Sequence, residues 1–357
     1  MHTQSKYRLL VVRLGAMGDI LHALPAVAAL RQAHPAWVID WVIEPGWRAL
    51  LSARADNPIT ARDSRQPIVD HLHYAATKAW RRSPLDRNTH NQISALRRHL
   101  RAGDYDVVLD LQGAVRSAII GRLSGCRRRI GEAEPREQAA RWLFTEHIAT
   151  RGAHVIEQDV ELAAAVAGDD LVPVQPLLPI DPDSEAWCDE LLSSTAGQPI
   201  VLLNPGAGWG AKRWPEGCYA AVASALNKDG FQVLVNAGPG EEALARAIRE
   251  QSGGAATELI SSLPQLIALA RRVALVIAGD TGPLHLACTL GRPVVGIYGP
   301  TDPARNGPFG TRFRVLRSPE SRRDHTRRAE PEAGLLTITP NAVLQVAREL
   351  LSEEGAA

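Results

Sequence analysis

The sequence of 357 residues contains only four cysteines, and no two of them form a C-x-x-C pair. Cys126, Cys188, Cys218 and Cys288 are widely spaced, which argues against a zinc site and against a disulfide framework. A reducing compartment such as the cytoplasm fits this distribution.

The sequence also lacks an apolar run close to the roughly 20 residues that a transmembrane helix needs. Its first residues, Met-His-Thr-Gln-Ser-Lys-Tyr-Arg, lead into a short apolar strand without the apolar core of a signal peptide. We therefore expect a cytoplasmic protein that contacts a membrane only peripherally.

The sequence also has almost no excess of charge, because its 40 basic side chains nearly balance its 39 acidic ones and the net charge is +1. This balance predicts no general binding to polyanions such as nucleic acid. The arginines are nevertheless grouped. Each group predicts either a solvated face or a surface for an anionic acceptor or lipid, and the groups lie at 81–101, 127–129 and 317–328.

The length predicts two domains, because one hydrophobic core rarely organises more than about 250–300 residues. Short apolar runs alternate with helical periodicity in both halves, which indicates parallel strands with crossover helices. Prolines 173, 176, 179 and 182 interrupt the alternation. The predicted boundaries are 1–172 for the first Rossmann-like domain, 173–198 for the linker and first helix, 199–335 for the second Rossmann-like domain, and 336–357 for a closing helical segment.

Ligands of open parallel sheets bind beyond the carboxyl ends of the strands. The loops at these positions are rich in Gly, Pro, Asp or Thr, and they follow Val12, Asn204, Asn236, Ala278 and Tyr298. The sequence therefore predicts that the chemistry of both domains is located in these loops, facing a cleft between them.

The first of these loops contains Gly15, Gly18 and Asp19 directly before a helix. The glycines allow a ligand to approach the backbone, and Asp19 supplies a carboxylate or, as the simpler alternative, caps the helix. A dinucleotide site with Glu44 as its ribose-binding acid is a competing interpretation, but G-x-x-G-D is not the G-x-G-x-x-G pattern.

The loop after Asn204 carries Lys212 and Arg213 immediately before a helix that begins at Pro215. Cations beside free amide groups suit a diphosphate whose charge grows as a glycosidic bond breaks. A solvated loop lysine is the alternative.

The loop after Ala278 reads Gly-Asp-Thr-Gly-Pro-Leu-His, and it is the most informative segment of the chain. The amides of Thr281 and Gly282 and the Thr281 hydroxyl can bind phosphate oxygens, and His285 lies one turn into the helix. A core histidine is the alternative for His285. Glu241, in the loop after Asn236, either binds a ribose diol or is an acid of the first helical turn favoured by the helix dipole.

Five motifs together resemble glycosyltransferase family 9, the ADP-heptose-dependent heptosyltransferases of lipopolysaccharide synthesis. They occur in the family's order along nearly the whole chain, at 13–19, 110–113, 212–215, 279–285 and 298–303.

The resemblance implies a GT-B fold, with an N-terminal acceptor domain, a C-terminal nucleotide-sugar domain and a final helix that packs back on the N-terminal domain. It implies inverting transfer of L-glycero-D-manno-heptose from ADP-heptose to Kdo or heptose of the lipid A core. No metal and no cofactor are expected, since ADP-heptose is a substrate. The expected protein is a monomer at the cytoplasmic face of the inner membrane.

The resemblance also assigns roles to single residues. Asp19 is the expected general base, and the expected donor-binding residues are Gly18, Lys212, Glu241, Asp280, Thr281, Gly282 and His285. Glu241 stands in a Gly-Pro-Gly-Glu-Glu context, whereas the acid of heptosyltransferases I follows Gly-Ala. The expected acceptor-binding residues are Lys78, Arg81, Arg116 and Arg136.

Three alternatives stay open at the level of the sequence. A nucleotide-sugar epimerase can use the same two-domain plan, and a non-enzymatic module can bind a nucleotide sugar without turnover. A family 9 transferase can also use another donor or another acceptor, because fold and family do not fix the substrate.

Overall fold

The computed structural model describes residues 6–54, 62–193, 197–324 and 328–354. The chain divides into two compact units, Met1–Ile180 and Asp181–Ala357, and each contains one six-stranded parallel sheet. The prediction of two doubly wound α/β sheets is confirmed. None of the helices in the described ranges is long and apolar enough to cross a membrane.

The strands of the first unit are β1 (Arg8–Val12), β2 (Val38–Ile43), β3 (His71–Tyr74), β4 (Val107–Asp110), β5 (Arg129–Glu132) and β6 (Glu146–Ile148). They lie in the order β3-β2-β1-β4-β5-β6. The helices are α1 (Met17–Ala33), α2 (Thr77–Arg82), α3 (Arg87–Ala102), α4 (Val115–Leu123) and α5 (Val155–Ala167), with 3-10 helices at Pro45–Leu50 and Gln138–Leu143.

The centre of this sheet is apolar because helices cover both of its faces. Residues 9–12 of β1 are completely buried, and α1 packs against α5. Gly168 ends α5 in the left-handed conformation, with φ 77°, which glycine adopts without strain. The prolines that follow keep the connection to the second unit out of helical conformation.

The strands of the second unit are β7 (Ile200–Asn204), β8 (Gln232–Ala237), β9 (Ala256–Ile260), β10 (Leu275–Gly279), β11 (Val294–Tyr298) and β12 (Phe313–Arg317). They lie in the order β12-β11-β10-β7-β8-β9, which repeats the topology of the first sheet. The helices are α6 (Pro182–Ser193), α7 (Glu216–Lys228), α8 (Glu242–Gln251), α9 (Leu263–Ala270), α10 (Gly282–Thr289), α11 (Pro303–Asn306) and α12 (Pro340–Glu354), with 3-10 helices at Gly210–Lys212 and Leu335–Thr337.

The expected packing of the last helix on the N-terminal domain stays a prediction, and within the second unit this helix has an apolar face that is buried. Val343, Leu344, Ala347 and Leu350 of α12 lie in the hydrophobic core of the second unit, where α12 contacts α7 and β12. These residues recur at helical spacing, so they form one apolar face, and the second unit itself covers that face.

The first helix of the predicted linker, α6, belongs to the second unit and packs against α9. Glu185 of α6 forms ion pairs with Arg271 and Arg272 at the end of α9. The boundary between the units, at Ile180, therefore falls within the predicted segment 173–198.

Candidate functional site

Each sheet has a point at which the strand order reverses, and in this topology that point is the expected ligand crevice. In the first sheet it lies between β1 and β4, with Val12 opposite Asp110. In the second sheet it lies between β7 and β10, with Asn204 opposite Ala278. The loops that leave these four strands carry most of the residues singled out in the sequence.

The loop after β1 passes close to the side chain of Trp47. A Cβ on Gly15 would lie 2.7 Å from Trp47 Nε1, and Gly15 has a φ of 152°. Space and backbone conformation both require glycine at this position. Gly18, expected among the donor-binding residues, lies in the first turn of α1.

Asp19 lies at the third position of α1, and its carboxylate is partly exposed. Asp19 Oδ2 accepts a hydrogen bond from the Ala16 amide at 2.9 Å, and Oδ1 lies 3.5 Å from Arg13 Nη2. Asp19 is therefore not the residue that precedes the helix; that residue is Ala16, and Asp19 binds its amide from within the first turn. Because the carboxylate remains partly open to solvent, capping leaves it able to accept a proton.

The loop after β4 supports the loop of Asp19, a role that the sequence did not reveal. Gln112 Oε1 accepts from the Leu14 amide at 3.0 Å in the interior. Asp110 Oδ1 accepts from the amides of Gln112 and Gly113 and from Ser117 Oγ. This network fixes the backbone on both sides of the crevice.

Asp110 is a buried carboxyl group whose ionisation is perturbed. Burial raises the pKa of Asp110 to about 6, although the hydrogen bonds from Gly113, Ser117 and Gln112 oppose this rise. Its second oxygen, Oδ2, has no hydrogen-bond partner among the described residues. Asp110 therefore titrates in a range where most aspartates are already ionised.

Glu44 has a structural role in this unit. Its carboxylate accepts from Thr77 Oγ1 at the start of α2 and from the Lys78 amide at 3.1 Å. This contact explains the acid at the end of β2 without a dinucleotide. The geometry thus gives Glu44 a structural role, and the competing ribose interpretation stays a prediction.

The four predicted acceptor-binding residues are all exposed. Lys78 Nζ lies 5.9 Å from the ring centre of Trp47, the residue that packs against Gly15. Arg116 lies in the first turn of α4, and the Arg136 backbone lies against Gly113. Arg81 lies in the last turn of α2. Lys78, Arg116 and Arg136 are thus attached to the loops around the first crevice.

In the second unit, Lys212, Asp280 and His285 form one group. Lys212 Nζ donates to Asp280 Oδ2 at 2.5 Å, and His285 Nε2 lies 3.1 Å from Asp280 Oδ1. Burial by itself raises the pKa of Asp280, but the hydrogen bond with His285 and the charge of Lys212 outweigh it and hold the pKa well below its usual range. Asp280 is therefore an ionised carboxylate between two donors.

The start of α10 lies in the same place. Thr281 is the residue before the helix, and Gly282 is its first residue. The Thr281 side chain does not cap this end, and Pro283 has no N–H. The Leu284 amide already donates to the Thr281 carbonyl at 3.2 Å, so the amides that can face an anion are those of Thr281 and Gly282. His285 is buried, and its contact with Asp280 shows that it supports the carboxylate as well as lying in the core.

A distant segment fixes the loop that carries Lys212. The Ala211 amide donates to the Arg328 carbonyl at 3.1 Å, and the Glu332 amide donates to the Ala211 carbonyl at 3.2 Å. The Lys212 ammonium also lies 5.4 Å from the ring centre of Trp209. The position of Lys212 therefore depends on residues more than a hundred positions further along the chain.

Glu241 lies against the glycine loops of the second crevice. Its Oε2 accepts from the Gly238 amide at 3.2 Å, and a Cβ on Gly206 would lie 2.1 Å from the same oxygen. Glu241 precedes α8 and does not cap it through its side chain. Its carboxylate thus bridges the loops after β7 and β8.

A buried polar row lies beneath these loops. Asn236 Nδ2 donates to Asn204 Oδ1 at 3.0 Å, and Ser261 Oγ donates to Asn236 Oδ1 at 2.5 Å. The row joins the carboxyl ends of β7, β8 and β9. Asn204 Nδ2 is buried and has no hydrogen-bond partner in the part of the chain that the structure describes, which is costly in an interior.

The described ranges contain no group of three or more His, Cys, Asp and Glu side chains arranged to hold a metal ion. Lys212, Asp280, Thr281, Gly282 and His285 are brought together as expected. Glu241 is placed on the neighbouring loops.

Comparison with known proteins gives a consistent result. The profile of glycosyltransferase family 9 (heptosyltransferase) matches residues 93–335. Lipopolysaccharide heptosyltransferase 1 of Escherichia coli O18:K1:H7 is 30% identical over 352 residues, which cover 96% of this chain and 97% of that protein. The solved structure of E. coli heptosyltransferase WaaC with ADP has 28% identity and a TM-score of 0.77, covering 96% of this chain and 99% of that one.

Fold and comparisons together define a glycosyltransferase of the GT-B fold class. The chain belongs to glycosyltransferase family 9. The predicted family, fold class and enzyme class are thus confirmed. The roles of the single residues stay predictions.

Proposed function

We propose that this chain transfers heptose from ADP-L-glycero-D-manno-heptose, with inversion, to Kdo or heptose of a lipopolysaccharide inner-core acceptor on lipid A. The names of the relatives support the reaction class. The observation that carries the proposal is the group of Lys212, Asp280 and His285 at the start of α10, where the Thr281 side chain does not cap the helix. Such a group suits the diphosphate of a nucleotide sugar.

The donor half of the proposal follows from charge. The α10 amides and the Lys212 ammonium are positive groups, and charge accumulates on the departing diphosphate as the bond to the sugar breaks. Asp280 holds Lys212 in place by accepting from it through both its side chain and its backbone carbonyl. Glu241, on the adjacent loops, is proposed to accept the ribose hydroxyls.

The acceptor half depends on Asp19. In the proposed step, an acceptor hydroxyl oxygen forms a bond to the anomeric carbon, and Asp19 takes the hydroxyl proton. The bond between that carbon and the β-phosphate oxygen breaks, and ADP leaves with the electron pair. The amide of Ala16 and the guanidinium of Arg13 hold the carboxylate in one orientation, which favours proton transfer.

Lys78, Arg81, Arg116 and Arg136 are proposed to bind the carboxylates or phosphates of the acceptor. All four are exposed on the first unit, and cationic donors of this kind match acidic sugars. We further propose that the enzyme works without a metal or cofactor, as a monomer at the cytoplasmic face of the inner membrane.

The test is incubation with ADP-heptose and truncated core acceptors in the presence of a chelator, with the product mass as the readout. Each acceptor that gains one heptose identifies the substrate. Asp19→Asn should lower turnover by about 10²–10⁴-fold while ADP binding is unchanged. The matched control is Asp104→Asn, because Asp104 is exposed in the same unit and has a φ of 43° that asparagine tolerates.

Undiminished turnover of the Asp19→Asn enzyme would remove Asp19 from the mechanism. Free epimerised sugar formed without an acceptor would favour the epimerase alternative. Binding of the donor with no turnover on any acceptor would favour a binding module, and a product mass other than one added heptose would identify a different donor.

A further inference from the structure

An exposed tryptophan lies on the first unit, near the end of the 3-10 helix Gln138–Leu143. Trp142 is 89% exposed. On the same helix, Ala140 is buried against Ala118 and Phe144, and Leu143 packs beside them. The inward side chains fix the helix against α4, so Trp142 is held on the outer side.

The neighbouring helix α4 also has an exposed apolar side chain. Ile119 lies near its middle and is 47% exposed. Arg116 and Arg122 lie three residues before and after Ile119, which places them on the same side of the helix. An apolar side chain flanked by arginines is therefore presented next to the helix that carries Trp142.

The charge around these two apolar side chains is mainly positive. Arg116, Arg122, Arg136 and Arg141 are exposed, and none forms an ion pair with any residue in the described ranges. The acids nearby in sequence are Glu132, Glu134, Glu137 and Glu146. Glu132 accepts from Thr150 Oγ1, Glu137 accepts from the Val115 amide at 2.9 Å, and Glu146 pairs with Arg128. The surface thus combines a tryptophan and an isoleucine with unneutralised arginines.

We propose that this surface, formed by Ile119, Arg122, Arg141 and Trp142 and called here the docking face, binds the surface of a bilayer that contains anionic lipid. Tryptophan prefers the headgroup region, where its ring is apolar and its N–H remains solvated. Attraction to anionic headgroups raises the membrane partition coefficient about fivefold for each arginine. The charge of the face is complementary to such a membrane.

The choice of a membrane also rests on the proposed function, because an acceptor on lipid A is anchored in a bilayer. Arg116 lies in the first turn of α4, and Arg136 precedes the 3-10 helix and lies against Gly113. Both are near the first crevice and are proposed acceptor ligands. The docking face therefore continues from the acceptor side of the unit. Its occupation would hold the enzyme at the surface where its acceptor is found.

The experiment is flotation of the full chain with vesicles of 30% phosphatidylglycerol in phosphatidylcholine, compared with vesicles of phosphatidylcholine alone. The wild type should float with the anionic vesicles and lose binding in high salt. Trp142→Ser should lower the partition coefficient about tenfold. The double variant Arg122→Glu and Arg141→Glu should lower it at least about 25-fold.

Two controls match these changes elsewhere on the surface. Leu336→Ser removes an exposed apolar side chain of the second unit, and Arg97→Glu with Arg98→Glu makes the same change of charge on α3. The partition coefficients of both controls should be closer to that of the wild type than those of the face variants. All variants should keep the wild-type circular dichroism and the wild-type turnover on a delipidated, soluble acceptor.

Three results would overturn the proposal. They are failure of the wild type to float with anionic vesicles, flotation of the face variants equal to that of the wild type, and a loss of binding in the controls as large as in the face variants. A concentration-dependent dimer that is lost in Trp142→Ser would identify a second copy as the occupant instead. Flotation needs no turnover, so loss of the proposed activity with intact flotation would refute the function and leave the docking face standing.

Discussion

Replacement of Asp280 tests how the second unit holds its cationic group together. In Asp280→Asn the side chain keeps its shape and one acceptor oxygen, but the ionised partner of Lys212 and His285 is lost. Both Asp280 and His285 are buried, and the Lys212 side chain is 15% exposed. Breaking a buried pair costs about 3–5 kcal/mol, and the retained oxygen favours the lower end, about 3 kcal/mol.

For a unit of this size, about 3 kcal/mol corresponds to a fall in Tm of about 6–12 °C. The assay is differential scanning calorimetry of the full chain, following the transition of the second unit. The matched control is Asp229→Asn, which removes the exposed pair with Arg348 in the same unit. Exposed pairs stabilise little, so its Tm should fall far less.

The dependence on pH adds a second criterion. The pKa of Asp280 lies below its usual range in the folded state. The ionised carboxylate therefore contributes fully to the free energy of unfolding at any pH above its pKa in the unfolded chain, about 3.9. The contribution is lost only as pH falls toward the lower folded pKa. The part of the gap in Tm that comes from the Asp280 charge should therefore persist at pH 5 and shrink only below about pH 4. A fall no larger than that of Asp229→Asn would refute the reasoning.

Three further changes test the crevices. Gly206→Ala puts a Cβ 2.1 Å from Glu241 Oε2, so donor KM should rise about tenfold; an unchanged KM would exclude Glu241 from donor binding. Gln112→Leu leaves the buried Leu14 amide without its acceptor and should lower the free energy of unfolding in urea by about 1–3 kcal/mol; no loss would mean that the contact is dispensable. Asp110→Asn removes a carboxyl group with a pKa of about 6. Wild-type stability should therefore decline relative to this variant as pH rises from 4 through 6, and parallel pH profiles would contradict this assignment.

The loops of both crevices were predictable because their signal is local. Asp19, Lys212 and the segment 279–285 each lie between an apolar strand and the first turn of the next helix, or in that turn. Strand-to-helix turns in parallel sheets meet at one edge. The glycines there also mark positions where a side chain does not fit, as at Gly15, which packs against Trp47. Sequence spacing alone therefore located the loops that carry the candidate chemistry.

Several strands gave no such signal. β3, β5 and β6 have three or four residues each and contain His, Arg or Glu. Their periodicity is too short to distinguish a strand from a loop. They are strands because neighbouring strands supply their backbone hydrogen bonds.

The sequence by itself determined the alternation of strands and helices, the two-sheet architecture and the family, because these depend on apolar periodicity and on motifs within a few residues. Only the tertiary structure decided that Lys212 pairs with Asp280 across 68 positions, that Gln112 supports Leu14 across 98 positions, and that the second unit covers the apolar face of α12. Pairing over such separations depends on how the whole chain packs, and no local pattern of residues encodes it.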